Sequence, residues 1–269
     1  MTRVEGKRVL VTGAAQGIGK AVACELARAG AELVLTDLQS SKLDEVADEI
    51  GGRSSRYVLD VTDPDAIAGV RKRVIEDGGA IDILINNAGV VTGGAFLDVP
   101  LADHAKTYEV NTFGVVAMTH AFLGDLIGRP QSHLVNVASA AAYIGLPWGS
   151  VYASSKWAAL GFSESIRLEL AELGHRHVQV SSICPSFVDT GMFDGVSTPS
   201  GTRSLSSEQL GRLILRAIVG NVRCVRTPFL IKISPFLQGV LPGPIFDRVA
   251  RGFGVYRSMK SWKGHDGSR

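Results

Sequence analysis

The 269-residue chain has few cysteines, little net charge and no long uninterrupted apolar run. Its three cysteines, Cys24, Cys184 and Cys224, are odd in number and far apart along the chain. Neither a disulfide framework nor a zinc-ligand spacing is visible, and reduced thiols are expected. The six histidines show no ligand spacing either: His175 and His177 flank Arg176 before an expected strand and read as a solvated turn, so no structural metal is expected. A formal net charge of +2 argues against nucleic acid as a general partner. The segment before the first apolar run, Met1 to Lys7, is short and polar, which leaves no room for a secretory leader. No apolar stretch reaches the roughly 20 residues that a membrane-spanning helix needs. The nearest, Phe229 to Phe246, is broken by Lys232, Gln238 and three prolines. The expectation is a cytoplasmic protein, at most peripheral to a membrane.

What is present is enough apolar material for a core: 45% hydrophobic residues and a mean hydropathy of +0.17 exclude a disordered chain. The small net charge hides an asymmetry. From Asn221 onward nine Lys/Arg face two Asp/Glu, whereas residues 1–220 hold 19 basic and 24 acidic residues. The end of the chain therefore differs in kind from the body.

Short runs rich in Val, Ile and Leu alternate with longer segments of helical period. Strands are expected at 8–12, 32–36, 56–59, 81–86, 134–138 and 178–184, and a last one at 222–228. Helices are expected at 18–29, 43–50, 64–76, 103–127 and 152–173. This alternation predicts an α/β fold: a Rossmann-type, doubly wound parallel sheet of about seven strands with helices on both faces. No repeat, low-complexity segment or linker appears before about residue 185, so residues 1–269 are read as one domain. Its core spans 5–227, a loop at about 186–206 is expected to act as a lid, and 228–269 form an extension.

Between the first strand and the first helix lies Thr12-Gly-Ala-Ala-Gln-Gly-Ile-Gly19. Gly13, Gly17 and Gly19 would let the backbone turn tightly and approach a pyrophosphate, with Gln16 and Ile18 in the same turn. Asp37, 18 residues after Gly19 at the end of the second strand, stands where a carboxylate accepts from adenosine ribose hydroxyls. A carboxylate there would repel the 2′-phosphate of NADP, and Ala14, Ala15, Leu38 and Gln39 supply no cation to hold one. NAD is the expected cofactor. Alternatively, Asp37 is a solvated residue capping the next helix. Farther on, Tyr152-Ala-Ser-Ser-Lys156 puts a phenol and an ammonium on one helix face. A nearby cation favours the phenolate and lowers its pKa.

Asn86-Asn-Ala-Gly89 ends the fourth strand, Asn111 interrupts a long helix, and Ser139 lies thirteen residues before Tyr152. With Thr12–Gly19, this order and spacing resembles the short-chain dehydrogenase/reductase family over roughly residues 5–190. The resemblance implies that Ser139 hydrogen-bonds the substrate oxygen, Tyr152 exchanges its proton, and Lys156 lowers the tyrosine pKa and binds the nicotinamide ribose. Asn111 would hold a water that relays protons to Lys156. Asp60 and Val61 would contact adenine, Asn87, Ala88 and Gly89 would support the cofactor, and Pro185, Val188 and Thr190 would fix the nicotinamide amide. A homo-oligomer, dimer or tetramer, is implied, with the helices around 103–127 and 152–173 at its interface. Two departures from the family pattern bear on substrate rather than cofactor. Ser186 stands where many relatives have Gly, and a longer tail replaces the short Asp-Gly-Gly ending of many bacterial relatives.

Val91, Tyr143, Leu146, Trp148, Met192 and Phe193 flank the tetrad and are mostly apolar, without a cation for a carboxylate or phosphate. They predict a lipophilic small-molecule substrate, such as a sterol, a retinoid-like molecule or a fatty alcohol or ketone. Residues 191–204 are expected to order over bound ligand. In the tail, Pro242-Gly-Pro244 opens a short helix with Ile245, Val249 and Phe253 on one face. That helix either contacts a membrane surface or packs over the pocket or a neighbouring subunit. The expected activity is NAD(H)-dependent hydride transfer at an alcohol or carbonyl carbon. Epimerisation or dehydration with bound NAD, and a non-catalytic NAD-sensing protein, are the alternatives.

Overall fold

The computed structural model describes residues 1–52, 54–199 and 204–264. Its centre is a seven-stranded, all-parallel sheet in the order β3-β2-β1-β4-β5-β6-β9. The strands are β1 (Arg8–Thr12), β2 (Glu32–Asp37), β3 (Ser54–Val58), β4 (Ile83–Asn86), β5 (Ser132–Val137), β6 (Val178–Pro185) and β9 (Cys224–Thr227). The two-residue strands β7 (Val188–Asp189) and β8 (Leu205–Ser206) pair separately within the expected lid region. Residues 200–203 of that region lie outside the described residues.

Side chains alternate across the sheet. Val9, Val11, Leu33 and Leu35 face one layer, packed by helices α1 (Gly17–Arg28), α2 (Ser40–Ile50) and α7 (Ser207–Gly220). Leu10, Val34 and Leu134 face the other, packed by α3 (Pro64–Gly78), α5 (Gly114–Ile127) and α6 (Ser150–Glu172). This two-sided burial makes the strands read as continuous apolar runs. The order reverses between β1 and β4, the switch point at which doubly wound sheets open a crevice at their strand C-termini.

The long helical stretch at 103–127 is three pieces: α4 (Leu101–Tyr108), a π turn (Glu109–Phe113) and α5. Taken together, Leu101–Ile127 is long and apolar enough to cross a membrane by length and composition alone, contrary to the sequence reading. It packs instead on the sheet, with Met118, Phe122 and Leu126 buried.

Two helices were not expected. Helix α7 opens with a capping box in which Ser206 Oγ accepts from Gln209 N–H and Gln209 Oε1 from Ser206 N–H. Helix α8 (Phe229–Val240) carries Pro235 in its interior. Proline offers no N–H to the Ile231 carbonyl, and the Ser234 hydroxyl donates to that oxygen instead, at 3.2 Å. Helix α9 (Gly243–Gly252) follows as expected, and a 3₁₀ turn at Val255–Ser261 returns the chain over the body.

Candidate active site

The glycine turn sits at the switch point. Gly13 has φ +64°, and a Cβ there would stand 2.9 Å from Ala88 Cα; one on Gly19 would stand 1.9 Å from the Gly13 carbonyl oxygen. No other residue fits either position without moving the turn. β4 is stitched to it: Asn87 Nδ2 donates to the Thr12 and Gly13 carbonyls (2.9 and 3.1 Å), and the Asn87 and Ala88 N–H groups donate to Thr12 Oγ1 (both 3.0 Å). Gln16 precedes α1 without a side-chain cap to its first amides, which favours an anion there. Ile18 packs inward on the core, and a Cβ on Gly17 would lie 3.2 Å from Thr190 Cγ2, so β7's loop closes against the turn.

Asp37 Oδ2 accepts from Ala15 N–H and Oδ1 from Gln39 N–H, both at 3.0 Å. It therefore braces the glycine turn and the start of α2 together. Each oxygen keeps acceptor capacity, which fits ribose hydroxyls better than a phosphate. The sequence reading overlooked one cation nearby: Lys42 Nζ donates to Gln16 Oε1 at 2.9 Å. Burial would raise the Asp60 carboxyl, but hydrogen bonds from Thr62 N–H (2.8 Å) and Oγ1 (2.7 Å) outweigh it and hold the group low. Val61 is buried against Gly114.

The reacting end is built from β5, the π turn and α6. Ser139 follows β5 and accepts from Ala141 N–H at 3.1 Å, which fixes its hydroxyl at the mouth of a 3₁₀ turn (Ala140–Tyr143). Asn111, fully buried in the π turn, accepts from Val90 N–H (2.8 Å) and donates to the Val90 carbonyl (2.9 Å) and Ser155 Oγ (3.0 Å). Its amide thus positions the chain after β4, and a π turn leaves one helical carbonyl outside the ordinary ladder. Lys156 Nζ donates to the Val137 carbonyl at 3.0 Å and lies 6.0 Å from the Tyr152 ring centre. A Cβ on Gly89 would stand 3.1 Å from Asn111 Oδ1 and 3.3 Å from Lys156 Nζ, so this glycine keeps room beside the ammonium. The turn, Asp37 and the Gly89 space form a cradle that fits a dinucleotide running from Asp60 to Tyr152.

Burial pushes the Tyr152 hydroxyl up to about 12, opposed by the Ser139 hydroxyl, and pushes Lys156 down to about 8. Desolvation is the largest influence on both groups.

Tyr152 and Ser139 stand at the polar end of a cavity bounded by Ile144, Leu146, Phe187 and Phe193. Its far wall is the tail: Leu230, Ile231 and Leu237 of α8, Phe246 and Ala250 of α9, and Phe253 just after it. Among the described residues no charged side chain lines it, and the other hydroxyls there are Ser186, Ser234 and Ser258. Leu146 and Phe193 line this cavity as expected from sequence. Val91 and Trp148 pack behind Tyr152 with Met259 and Trp262, and Met192 offers its carbonyl to the Trp262 indole at 3.1 Å. Tyr143 does not face the cavity. It turns to the sheet edge, its hydroxyl 3.3 Å from Cys224 Sγ and 3.9 Å from Cys184 Sγ, with the Arg226 guanidinium 4.9 Å from its ring centre. Two thiols distant in sequence are neighbours there because β6 pairs with β9. Pro185 ends β6, and Val188 is buried at the start of the loop beyond it.

A family profile described as short chain dehydrogenase matches residues 7–200. The chain is 36% identical to epidermal retinol dehydrogenase 2 of Mus musculus over 97% of its own length and 86% of that protein. It is 34% identical to estradiol 17-beta-dehydrogenase 11 of Rattus norvegicus, over 94% and 85%. Among solved structures, a short chain dehydrogenase/reductase from Burkholderia phymatum in complex with NAD superposes with a TM-score of 0.82 at 26% identity, covering 89% of this chain and 95% of that one. A short chain dehydrogenase from Burkholderia cenocepacia in complex with NADP gives 0.80 at 26% identity, covering 92% and 99%.

Proposed function

The chain belongs to the short-chain dehydrogenase/reductase family, and we propose that it is an NAD(H)-dependent oxidoreductase acting on an alcohol/carbonyl pair of a lipophilic small molecule. The observation that carries this reading is the placement of the Ser139 and Tyr152 hydroxyls at one end of a cavity whose described lining carries no charge. A sterol, retinoid-like or fatty alcohol would present its one polar group there. Relatives named for retinol and estradiol, both apolar alcohols, support the substrate class.

Bound NAD would accept or donate the hydride at its nicotinamide. The chain's own residues orient the substrate and move one proton. Ser139 holds the substrate oxygen; Tyr152 takes the hydroxyl proton in oxidation and returns it in reduction. Lys156, donating to Val137, supplies the ammonium on which the phenolate depends, and its charge has to be held by the cofactor ribose as well as the protein. Asn111 sets the π turn beside Lys156, where a water can connect the ammonium to solvent. Asp37 selects NAD by accepting from ribose hydroxyls.

The same reading assigns a homo-oligomer joined through α4–α5 and α6, where Tyr108, Phe113, Trp157 and Leu168 stand exposed. It also assigns a cytoplasmic location, with peripheral lipid contact through the tail. The test is NAD⁺ reduction across apolar primary and secondary alcohols, with Tyr152→Phe as the control. Turnover that the variant abolishes supports the reading. Tight NADH binding with no turnover, or turnover without net NADH, refutes it in favour of sensing or of epimerisation or dehydration.

A further inference from the structure

A helix that is apolar on every side belongs inside a protein or a membrane. Helix α8 is apolar over most of its circumference, with Lys232 its one charged residue and Ser234 and Gln238 its other polar ones, yet it has no fully buried residue. Phe229, Phe236 and Val240 form one stripe and are 68, 69 and 62% exposed. Ile245 and Val249 of α9 and Phe253 at its C-cap form a second stripe, while Phe246 and Ala250 on the other face of α9 are buried. Val249 and Phe253 also line the cavity, so they form its lip. The stripe that includes Val249 and Phe253 therefore borders the pocket that leads to Ser139 and Tyr152, while α8 walls it with Leu230, Ile231 and Leu237 and turns Phe229, Phe236 and Val240 outward.

Charge says what covers this face. Lys232 and Arg248 flank the stripes, and Arg251, Arg257 and Lys260 are exposed close by in the chain. Asp247 is the one acid among the described residues of the tail, and its carboxylate accepts from the Tyr256 hydroxyl at 2.6 Å. A second copy docked here would set cation against cation and stop the opening. An apolar ridge flanked by Lys and Arg instead matches a bilayer with acidic headgroups.

We propose that α8 and α9 form the face by which the protein lies on an anionic lipid bilayer, so that apolar substrate passes from the acyl layer through the opening between these helices to Ser139 and Tyr152. The docking stands on the helices alone; the delivery of substrate rests on the dehydrogenase reading. Phe229 and Phe236 would enter the acyl boundary, and Lys232 and Arg248 would stay among the headgroups.

The test uses the full chain and sedimentation with phosphatidylcholine vesicles, with and without phosphatidylglycerol. Binding should require phosphatidylglycerol, weaken with added salt, and fall at least about tenfold in a Phe229→Glu/Phe236→Glu variant and in a Lys232→Glu/Arg248→Glu variant. Unchanged NADH binding in both variants, followed by fluorescence, shows that the fold survives. No binding by the wild type, or equal binding by the variants, overturns the proposal. So does an assembly mass that the Phe variants lower while vesicles stay unbound, since that identifies a second copy as the cover. Vesicle binding without turnover of any alcohol would refute the dehydrogenase reading and leave the docking standing. Equal turnover of a vesicle-dissolved alcohol by wild type and variants would remove the delivery step.

Discussion

Lys156→Met should make the protein inactive and more stable. The ammonium is buried, with the Val137 carbonyl as its hydrogen-bond partner, and burial takes its pKa from an ordinary 10.5 to about 8. A depression of about 2.5 units corresponds to about 3 kcal/mol of unfavourable burial. In the window between 8 and 10.5 the unfolded chain binds a proton that the folded chain does not, so stability rises with pH there. Below 8 the whole cost is present. Methionine keeps the shape and removes the charge but leaves the Val137 carbonyl without its donor, which returns roughly 1 kcal/mol. The net gain near neutral pH is then about 2 kcal/mol, or a rise in Tm of roughly 5 °C. Urea unfolding of cofactor-free wild type and variant near pH 7 and near pH 10 measures it, alongside NADH production. The advantage should shrink toward pH 10, where folded wild type has already shed the proton. A variant no more stable at neutral pH, or an advantage independent of pH, refutes the claim that desolvation governs this lysine.

His133 is a second buried base, with Nε2 bonded to Ser181 Oγ at 2.8 Å, Nδ1 without a partner among the described residues, and a pKa pushed down to about 4 by burial. Its contribution is complete above 6.5 and is lost as pH falls toward 4, about 3 kcal/mol in all; urea unfolding from neutral pH to about 4.5 should show this slope, and His133→Leu should flatten it. Asp37→Ser should raise the ratio of NADP⁺ to NAD⁺ efficiency by about 10- to 100-fold, as removal of one close like charge is worth roughly 1–3 kcal/mol. Steady-state kinetics with both cofactors measures it, and an unchanged ratio would place selection elsewhere, with Lys42 the next residue to change. Leu237→Trp narrows the tail wall and should raise KM for polycyclic alcohols at least about tenfold while short-chain alcohols keep theirs.

The sheet was legible because its signal is local. Near-continuous Val/Ile/Leu runs such as 83–86, separated by helical-period segments, admit few arrangements other than a parallel sheet covered twice. The glycine turn carried a local signal, since a tight βα turn needs glycine at 13 and 19, whereas Ser139, Asn111 and the Tyr152–Lys156 pair stood out only through the order and spacing that resembles the family. What sequence could not supply was environment. Tyr143 reads as an aromatic beside the tetrad, and only the β6–β9 pairing shows that it belongs to Cys184 and Cys224. The rivalry between burial and charge at Lys156 likewise depends on how deep the helix sits. Helix α7 was missed despite a readable signal, Ser206 and Gln209 in a capping box before Leu210, Leu213, Ile214 and Ile218.

Helix α8 was missed for a more instructive reason. Periodicity finds a helix by the contrast between its two faces, and α8 has little contrast because apolar residues stand on both of its faces. Leu230, Ile231 and Leu237 meet the cavity, and Phe229, Phe236 and Val240 face outward. Pro235 strengthens the misreading, since the Ser234 side chain that repairs the ladder is invisible to propensity. The same lack of contrast separates the two tasks of the molecule. The proposed proton-transfer residues sit on β5, the π turn and α6, inside the span that the family profile matches, whereas much of the cavity wall comes from residues 230–253, beyond it. Substitutions in α8 and α9 should therefore redistribute KM among substrates while leaving the pH dependence of turnover, set by Tyr152 and Lys156, where it was.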